Sequence, residues 1–247
     1  MDWTSRRSTI MEVQGSMVEA EVQALYNLAK KSTSPIVEIG SLFGLSTCSM
    51  GYGTLDGNNQ PVFAIDPHID VRIKHGVPVE EGQISLWKFL NNIRGHGLHG
   101  TVIPVVMGSS QALNLWRDTP IGVLFIDDGH GKKDVERDLL WVPHVEMGGF
   151  VCFHDFGAWD GVGAAVMDYM KTHEDLNIVQ KYVTLLVCQK EECTRSYLDM
   201  RLNMFKSLLA ISSERQKRVQ RVSGYSGVDL GDSSTNFIDP FDTIPEE

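Results

Sequence analysis

The stretch Pro35-Ile36-Val37-Glu38-Ile39-Gly40-Ser41-Leu42-Phe43-Gly44-Leu45-Ser46-Thr47 decides how the chain is read. An apolar run over residues 36–39 stops at Gly40, turns for a few residues and enters a helical pattern near Leu45. That is a buried strand, a tight turn and a helix start. Gly40 and Gly44 have no Cβ to hold a ligand off the backbone. The free N–H groups of the helix start favour an anionic or carboxylate-bearing ligand. Glu38 lies in a strand that is otherwise apolar. Its carboxylate either accepts a hydrogen bond from a cationic amine or pairs with a nearby backbone amide or base.

Working outward, the same alternation recurs. Residues 17–29 carry apolar groups at helical intervals, with Glu19, Glu21 and Gln23 on the polar face. Residues 46–55 read as a helix closed by the turn signal Asp56-Gly57-Asn58-Asn59. A second strand, residues 61–66, ends on Asp66. The polar stretch 67–82 reads as a loop, and residues 84–93 as a helix with Ile84, Leu86, Trp87, Leu90 and Ile93 near one stripe. A third strand, 102–106, contains Pro104, which cannot donate to a ladder and so belongs near a sheet edge. Gly108-Ser109-Ser110 leads into a short helix ending near Trp116. Strands at 123–127 and 150–155, the latter after the turn Gly148-Gly149, finish on Asp127 and His154-Asp155, with helices over 132–142 and 161–172. Residues 178–180 and 183–188 complete the set, an antiparallel pair being one option.

Strands of continuous apolar character alternating with helices predict an α/β fold. The sheet is doubly wound, mostly parallel and seven-stranded, with both faces covered. Ligands of such sheets lie beyond the strand carboxyl ends, near the switch in strand order. Glu38, Gly40, Asp66, Ser109, Ser110, Asp127, His154 and Asp155 all fall at those ends. Scattered acids would not be distributed in this way.

The net charge of −10 and pI near 5.2 argue against a nucleic-acid surface. Cys48, Cys152, Cys188 and Cys193 show no CxxC spacing. Cys152 and Cys188 lie in apolar runs and are expected as buried free thiols. No apolar run approaches the roughly 20 residues that span a bilayer, and residues 1–10 lack the apolar segment of a signal peptide. A cytoplasmic, soluble protein is expected. The alternation occupies residues 1–190. Residues 191–222 predict a C-terminal helix with a basic end at Arg215, Lys217, Arg218 and Arg221, packed on the domain or on another subunit of a homo-oligomer. An acidic, mobile tail is expected over 223–247.

Residues 13–190 resemble the class I S-adenosylmethionine-dependent methyltransferases. In that family the first strand's Glu-x-Gly turn holds the methionine end of the cofactor. Here it reads Glu38-Ile39-Gly40, with Ser41, Gly44 and Ser46 along the turn. The resemblance assigns the ribose hydroxyls to Asp66 and places Gly108-Ser109-Ser110-Gln111 beside the adenine. A narrower likeness joins the chain to a branch that O-methylates sugars and natural products. That branch carries Ile-Asp-Gly-Asp-His after its fourth strand and a Gly-Gly strand ending in His-Asp. This chain reads Ile126-Asp127-Asp128-Gly129-His130, so Asp127 and His130 align while the second acid is moved one place.

Methyl transfer from a sulfonium requires alignment of acceptor, methyl and sulfur, and removal of the acceptor's proton. Asp127, counted with the cofactor residues, and Asp155 end neighbouring strands, a placement suited to oxygen ligation of Mg²⁺. His130 or His154 is the alternative base, a purely structural His154–Asp155 pair being the third possibility. Trp159 and Phe156 either wall the acceptor pocket or pack in the core. His68, His96, His99, His144 and His173 are assigned to surface or loops, and Met107, Met147, Met167 and Met170 to the core. The expected partner is a small-molecule acceptor with a hydroxyl. Two other functions fit less well. A nicotinamide-dependent oxidoreductase would want G-x-G-x-x-G where this chain has Gly-Ser-Leu-Phe-Gly, and a non-catalytic cofactor-binding protein would make no use of Asp155.

Overall fold

The computed structural model describes residues 1–69 and 85–193, with Ser196, Asp199, Met200 and Asn203 beyond them. The chain divides into two compact units, Met1–Asp199 and Met200–Glu247. All elements named below belong to the first. Residues 191–193, where the helix expected over 191–222 was to begin, are not helical; those four residues apart, the rest of it and the tail expected over 223–247 lie outside the described residues, as does most of the 67–82 loop.

Seven strands form one sheet: β1 (Ile36–Ile39), β2 (Val62–Ile65), β3 (Val102–Val105), β4 (Ile121–Ile126), β5 (Val145–Phe153), β6 (Leu176–Tyr182) and β7 (Leu185–Lys190). Their order is β3-β2-β1-β4-β5-β7-β6, parallel from β3 to β5 and antiparallel where β7 joins β5 and β6. Every residue of β1 and β4 is buried, as expected of central strands covered on both faces. Pro104 lies on the edge strand, in register with Ala64. The order reverses between β1 and β4, so their exits form the topological switch point.

The helices are α1 (Trp3–Ile10), α2 (Glu19–Lys31), α3 (Leu45–Leu55), α4 (Ser85–Gly95), α5 (Ser109–Leu115), α6 (Lys132–Asp138) and α7 (Asp160–Thr172). The first has no strong apolar periodicity and was not foreseen. It is held from outside, by Arg6 reaching Asp56 at 2.8 and 2.9 Å and by Trp3 packing on Tyr26. The helix expected over 132–142 gives way at Leu139 to a 3₁₀ segment, Leu139–His144, that contains Pro143. Buried Lys190 then closes it, donating to the carbonyls of Val142 and Pro143 at 3.0 Å.

Other expectations are corrected. The buried face of α4 is Ser85, Phe89 and Ile93, while Trp87 and Leu90 are exposed. Strand β5 begins at Val145, before the two glycines, and leaves Met147 on the surface rather than in the core. His68 is buried against Ser85 Oγ at 3.1 Å and the Phe89 ring. Cys152 and Cys188 are buried free thiols, as anticipated. Among the described residues no helix is long and apolar enough to cross a membrane.

Candidate active site

The site begins at Gly40, where β1 ends with a φ of +89°. A Cβ there would lie 2.2 Å from the carbonyl oxygen of Asp127. Glycine is therefore required by the close passage of the β1 and β4 exits, before any ligand is considered. The Asp127 N–H donates to Ile39 O at 2.8 Å and the Gly40 N–H to Ile65 O at 2.9 Å, which ties the three exits together.

Glu38 is wholly buried beneath this turn. Its two carboxylate oxygens accept hydrogen bonds from Ser46 Oγ and Thr47 Oγ1 in the first turn of α3. Burial drives its pKa up, the two hydroxyls oppose that, and the charges of Asp127 and Asp66 add to it, giving about 8. Within the chain, the backbone amide or base that one of the two sequence readings offered is not the partner. Two hydroxyls are.

Asp66 grips the turn from the other side. One oxygen accepts from the N–H groups of Ser41 and Leu42 at 3.0 and 2.9 Å, and the other from His68 N–H at 2.6 Å. Leu42 has a φ of +44°, an unusual conformation for a branched side chain that these bonds maintain. Ser109 turns inward and donates to the buried Asp138, whose pKa burial raises to about 6. Ser110 is exposed.

A cavity of about 150 Å³ opens at the switch point. Gly40, Ser41, Gly44, Ser46, Asp127, His130 and Asp155 line it together with residues 14–17. Glu38, Asp66, Ser109, Ser110 and His154 are not in its wall. The N-terminal segment 14–17 is the part of the lining that the sequence did not reveal, since Gln14-Gly15-Ser16-Met17 carries no motif. Ser41 Oγ is buried and has no partner within the described residues, an orphan hydroxyl on a glycine turn that suits a polar cofactor group.

The acids of β4 and β5 do converge. Asp127, His130 and Asp155 each place one ligand atom within 4.8 Å of the others. His130 Nε2 is 2.7 Å from Asp155 Oδ2, and its ring stacks on Trp159 at 4.8 Å and 8°. Asp155 takes a φ of +58°, a conformation acidic side chains tolerate. Trp159 is 54% exposed beside the cluster, whereas Phe156 is in the core. Two carboxylates and one imidazole make a donor set that fits a hard divalent cation such as Mg²⁺ or Mn²⁺.

His154 lies beneath the cluster, with Nδ1 3.6 Å from Asp155 Oδ1. Nδ1 lies 3.0 Å from Asp127 Oδ1, and Nε2 lies 3.4 Å from Glu21 Oε2. Burial alone would lower its pKa, but hydrogen bonds to the two carboxylates, and their charges, raise it to about 10. Both ring nitrogens thus face carboxylates, an arrangement that favours the charged form of the ring. The Asp127 carboxyl itself is pushed up by burial, with His154 opposing.

This sheet order, with a glycine turn at the switch point and acids along one rim, defines a Rossmann-like methyltransferase fold. Residues 37–156 match a family model described as a methyltransferase domain. Solved structures share the architecture at low identity. The cofactor-bound Rv0187 from MTB is 16% identical, with a TM-score of 0.56 over 76% of this chain and 88% of that one. The O-methyltransferase TomG from Streptomyces achromogenes, in complex with SAM, is 16% identical, with a TM-score of 0.53 over 71% and 82%. CalS11, a TDP-rhamnose 3'-O-methyltransferase, is 14% identical, with a TM-score of 0.53 over 75% and 80%. At these identities the likeness is one of fold.

Proposed function

We propose that the protein transfers a methyl group from S-adenosylmethionine to a hydroxyl of a small molecule, assisted by a divalent cation at Asp127, His130 and Asp155. The observation that carries this is the shared cavity, in which the glycine turn and the three-ligand cluster face one another. O-methyltransferases among the similar folds support the hydroxyl acceptor. In this arrangement Gly40 and Ser41 seat the methionine end of the cofactor. Asp66 fixes the turn and has one lone pair left, on Oδ1, for a ribose hydroxyl. A divalent cation at the cluster supplies the charge that lowers an acceptor hydroxyl's pKa and fixes its oxygen. Asp127 and Asp155 hold the site open toward the cavity, and exposed Trp159 offers a flat wall to the acceptor.

Cofactor binding is tested with S-adenosylhomocysteine and thermal unfolding. At a hundredfold excess over Kd the native state gains about 2.7 kcal/mol, a rise of roughly 5–10 °C for a chain of this size. Asp66→Ala is expected to abolish that rise. No rise at millimolar ligand in the parent would remove the assignment.

The cation is tested separately, by methyl transfer from labelled S-adenosylmethionine to a panel of small phenols and sugars. Excess chelator is expected to lower turnover by at least ~100-fold, and Mn²⁺ to restore it. Turnover indifferent to chelator but lost in His130→Ala would instead make His130 the base, with no cation involved.

A further inference from the structure

Glu21 joins three regions that are far apart in the sequence. It stands in the first turn of α2 and is 1% exposed. Oε2 accepts the Val18 N–H at 3.1 Å, directly after the cavity-lining residues 14–17. Oε1 accepts from the Thr184 N–H and hydroxyl, both at 2.7 Å, and from the Leu185 N–H at 3.1 Å. Oε2 also faces His154 Nε2, to which Thr184 Oγ1 lies at 3.3 Å. Across the ring, His154 Nδ1 is 3.0 Å from Asp127 Oδ1 and 3.6 Å from Asp155 Oδ1.

A buried carboxylate is costly unless its lone pairs are filled. The backbone and threonine donors would suffice for that, so the contact with His154 has a separate consequence. Groups behind a ligand set fix the orientation of the ligands in front, and their loss weakens the set without touching it. Nothing else among the described residues is hydrogen-bonded to the Nε2 side of this ring except Glu21 and the Thr184 hydroxyl that Glu21 itself accepts from.

We propose that Glu21 is a positioning residue for the acidic rim: it fixes the plane of the His154 ring, and the ring in turn aims the Asp127 and Asp155 carboxylates at one point in the cavity. The inference rests on the assignment of that rim as the acceptor and cation site. Asp127 and Asp155 touch what is bound there. Glu21 does not, and acts only through His154.

The test uses the full chain, with Mn²⁺ alone as the probe of the rim, S-adenosylhomocysteine as the probe of the turn, and the ring N–H protons of His154 observed by NMR. Glu21→Gln keeps the shape and removes the charge. Glu21→Asp keeps the charge and draws it back from the ring by one methylene, and decides the matter should the first variant fail to fold. Either variant is expected to move the His154 Nδ1–H resonance and to weaken Mn²⁺ binding about 10–100-fold, with S-adenosylhomocysteine affinity held within about threefold. An Nδ1–H resonance unchanged from the parent in the folded variants overturns the proposal whatever the Mn²⁺ result. A parent that binds no Mn²⁺ sinks the cation assignment instead, and the resonance still decides for or against Glu21.

Discussion

Glu38→Gln is expected to be more stable than the parent at alkaline pH and close to it at pH 5. The carboxyl is buried under the Gly40 turn with a pKa raised from its ordinary 4.5 to about 8, chiefly by burial. Between those values the unfolded chain has released the proton and the folded chain still holds it. Stability therefore falls as pH rises through this window, the reverse of the usual carboxylate case. At ~1.4 kcal/mol per pH unit the loss is on the order of 4–5 kcal/mol by pH 9. Glutamine can accept from one of Ser46 and Thr47 and donate to the other, and it never ionises. Urea unfolding at pH 5, 7 and 9 should show the two curves diverging upward in pH. Parallel pH dependence in parent and variant would show that Glu38 is already ionised in the fold.

The same residue links stability to ligand. If the cofactor's ammonium comes to rest on the Gly40 turn, its charge favours ionised Glu38, and a proton must leave on binding. Calorimetry with S-adenosylhomocysteine near pH 7, in two buffers of different ionisation enthalpy, should show that release in the parent and lose it in Glu38→Gln. A strand acid that destabilises the empty fold and is relieved by ligand is a reason for glutamate to stand in an otherwise apolar run.

Much of this was legible in the sequence because the central strands are buried on both faces and so are apolar along their whole length. Each run then ends abruptly on a polar residue, which marks the strand ends as the functional rim. The edge position of β3 was legible from Pro104, whereas the antiparallel β7–β6 end stood only as one option. Contacts made across the fold were not legible. His154 beside Asp155 looks like a base in sequence, and only the fold brings Glu21, 133 positions earlier, against its second nitrogen. Glu21 itself falls on the polar side of the 17–29 pattern. Its inward turn follows from capping the Val18 N–H, and with valine at position 18 half of the usual capping signature is missing. Phe156 and Trp159 are alike in sequence, but the Phe156 N–H pairs with Thr184 O, beside β7, and only Trp159 is left at the surface.

Gly40→Ala is expected to be the most damaging single methyl group in the site. The added Cβ would stand 2.2 Å from Asp127 O, 2.5 Å from its carbonyl carbon and 2.8 Å from Asp128 N, all of them backbone atoms that cannot swing aside. The strain of a left-handed φ on alanine is roughly 1–2 kcal/mol, and forcing apart a packed contact adds roughly 1–3 kcal/mol. A total loss of about 2–5 kcal/mol in urea unfolding follows. Gly97→Ala and Gly148→Ala separate the two contributions, since both glycines have positive φ, at +68° and +86°, yet nothing lies within 4 Å of the new Cβ. Those variants should lose only the conformational part, roughly 1–2 kcal/mol each. The contact displaced by Gly40→Ala is the Asp127 backbone, so the molecules that still fold should also bind Mn²⁺ more weakly than the parent, an effect neither control can reproduce. Equal stability losses at positions 40, 97 and 148 would mean that the β1 and β4 exits have room to part. The close passage that brings the glycine turn up to the acidic cluster would then not be what builds this site.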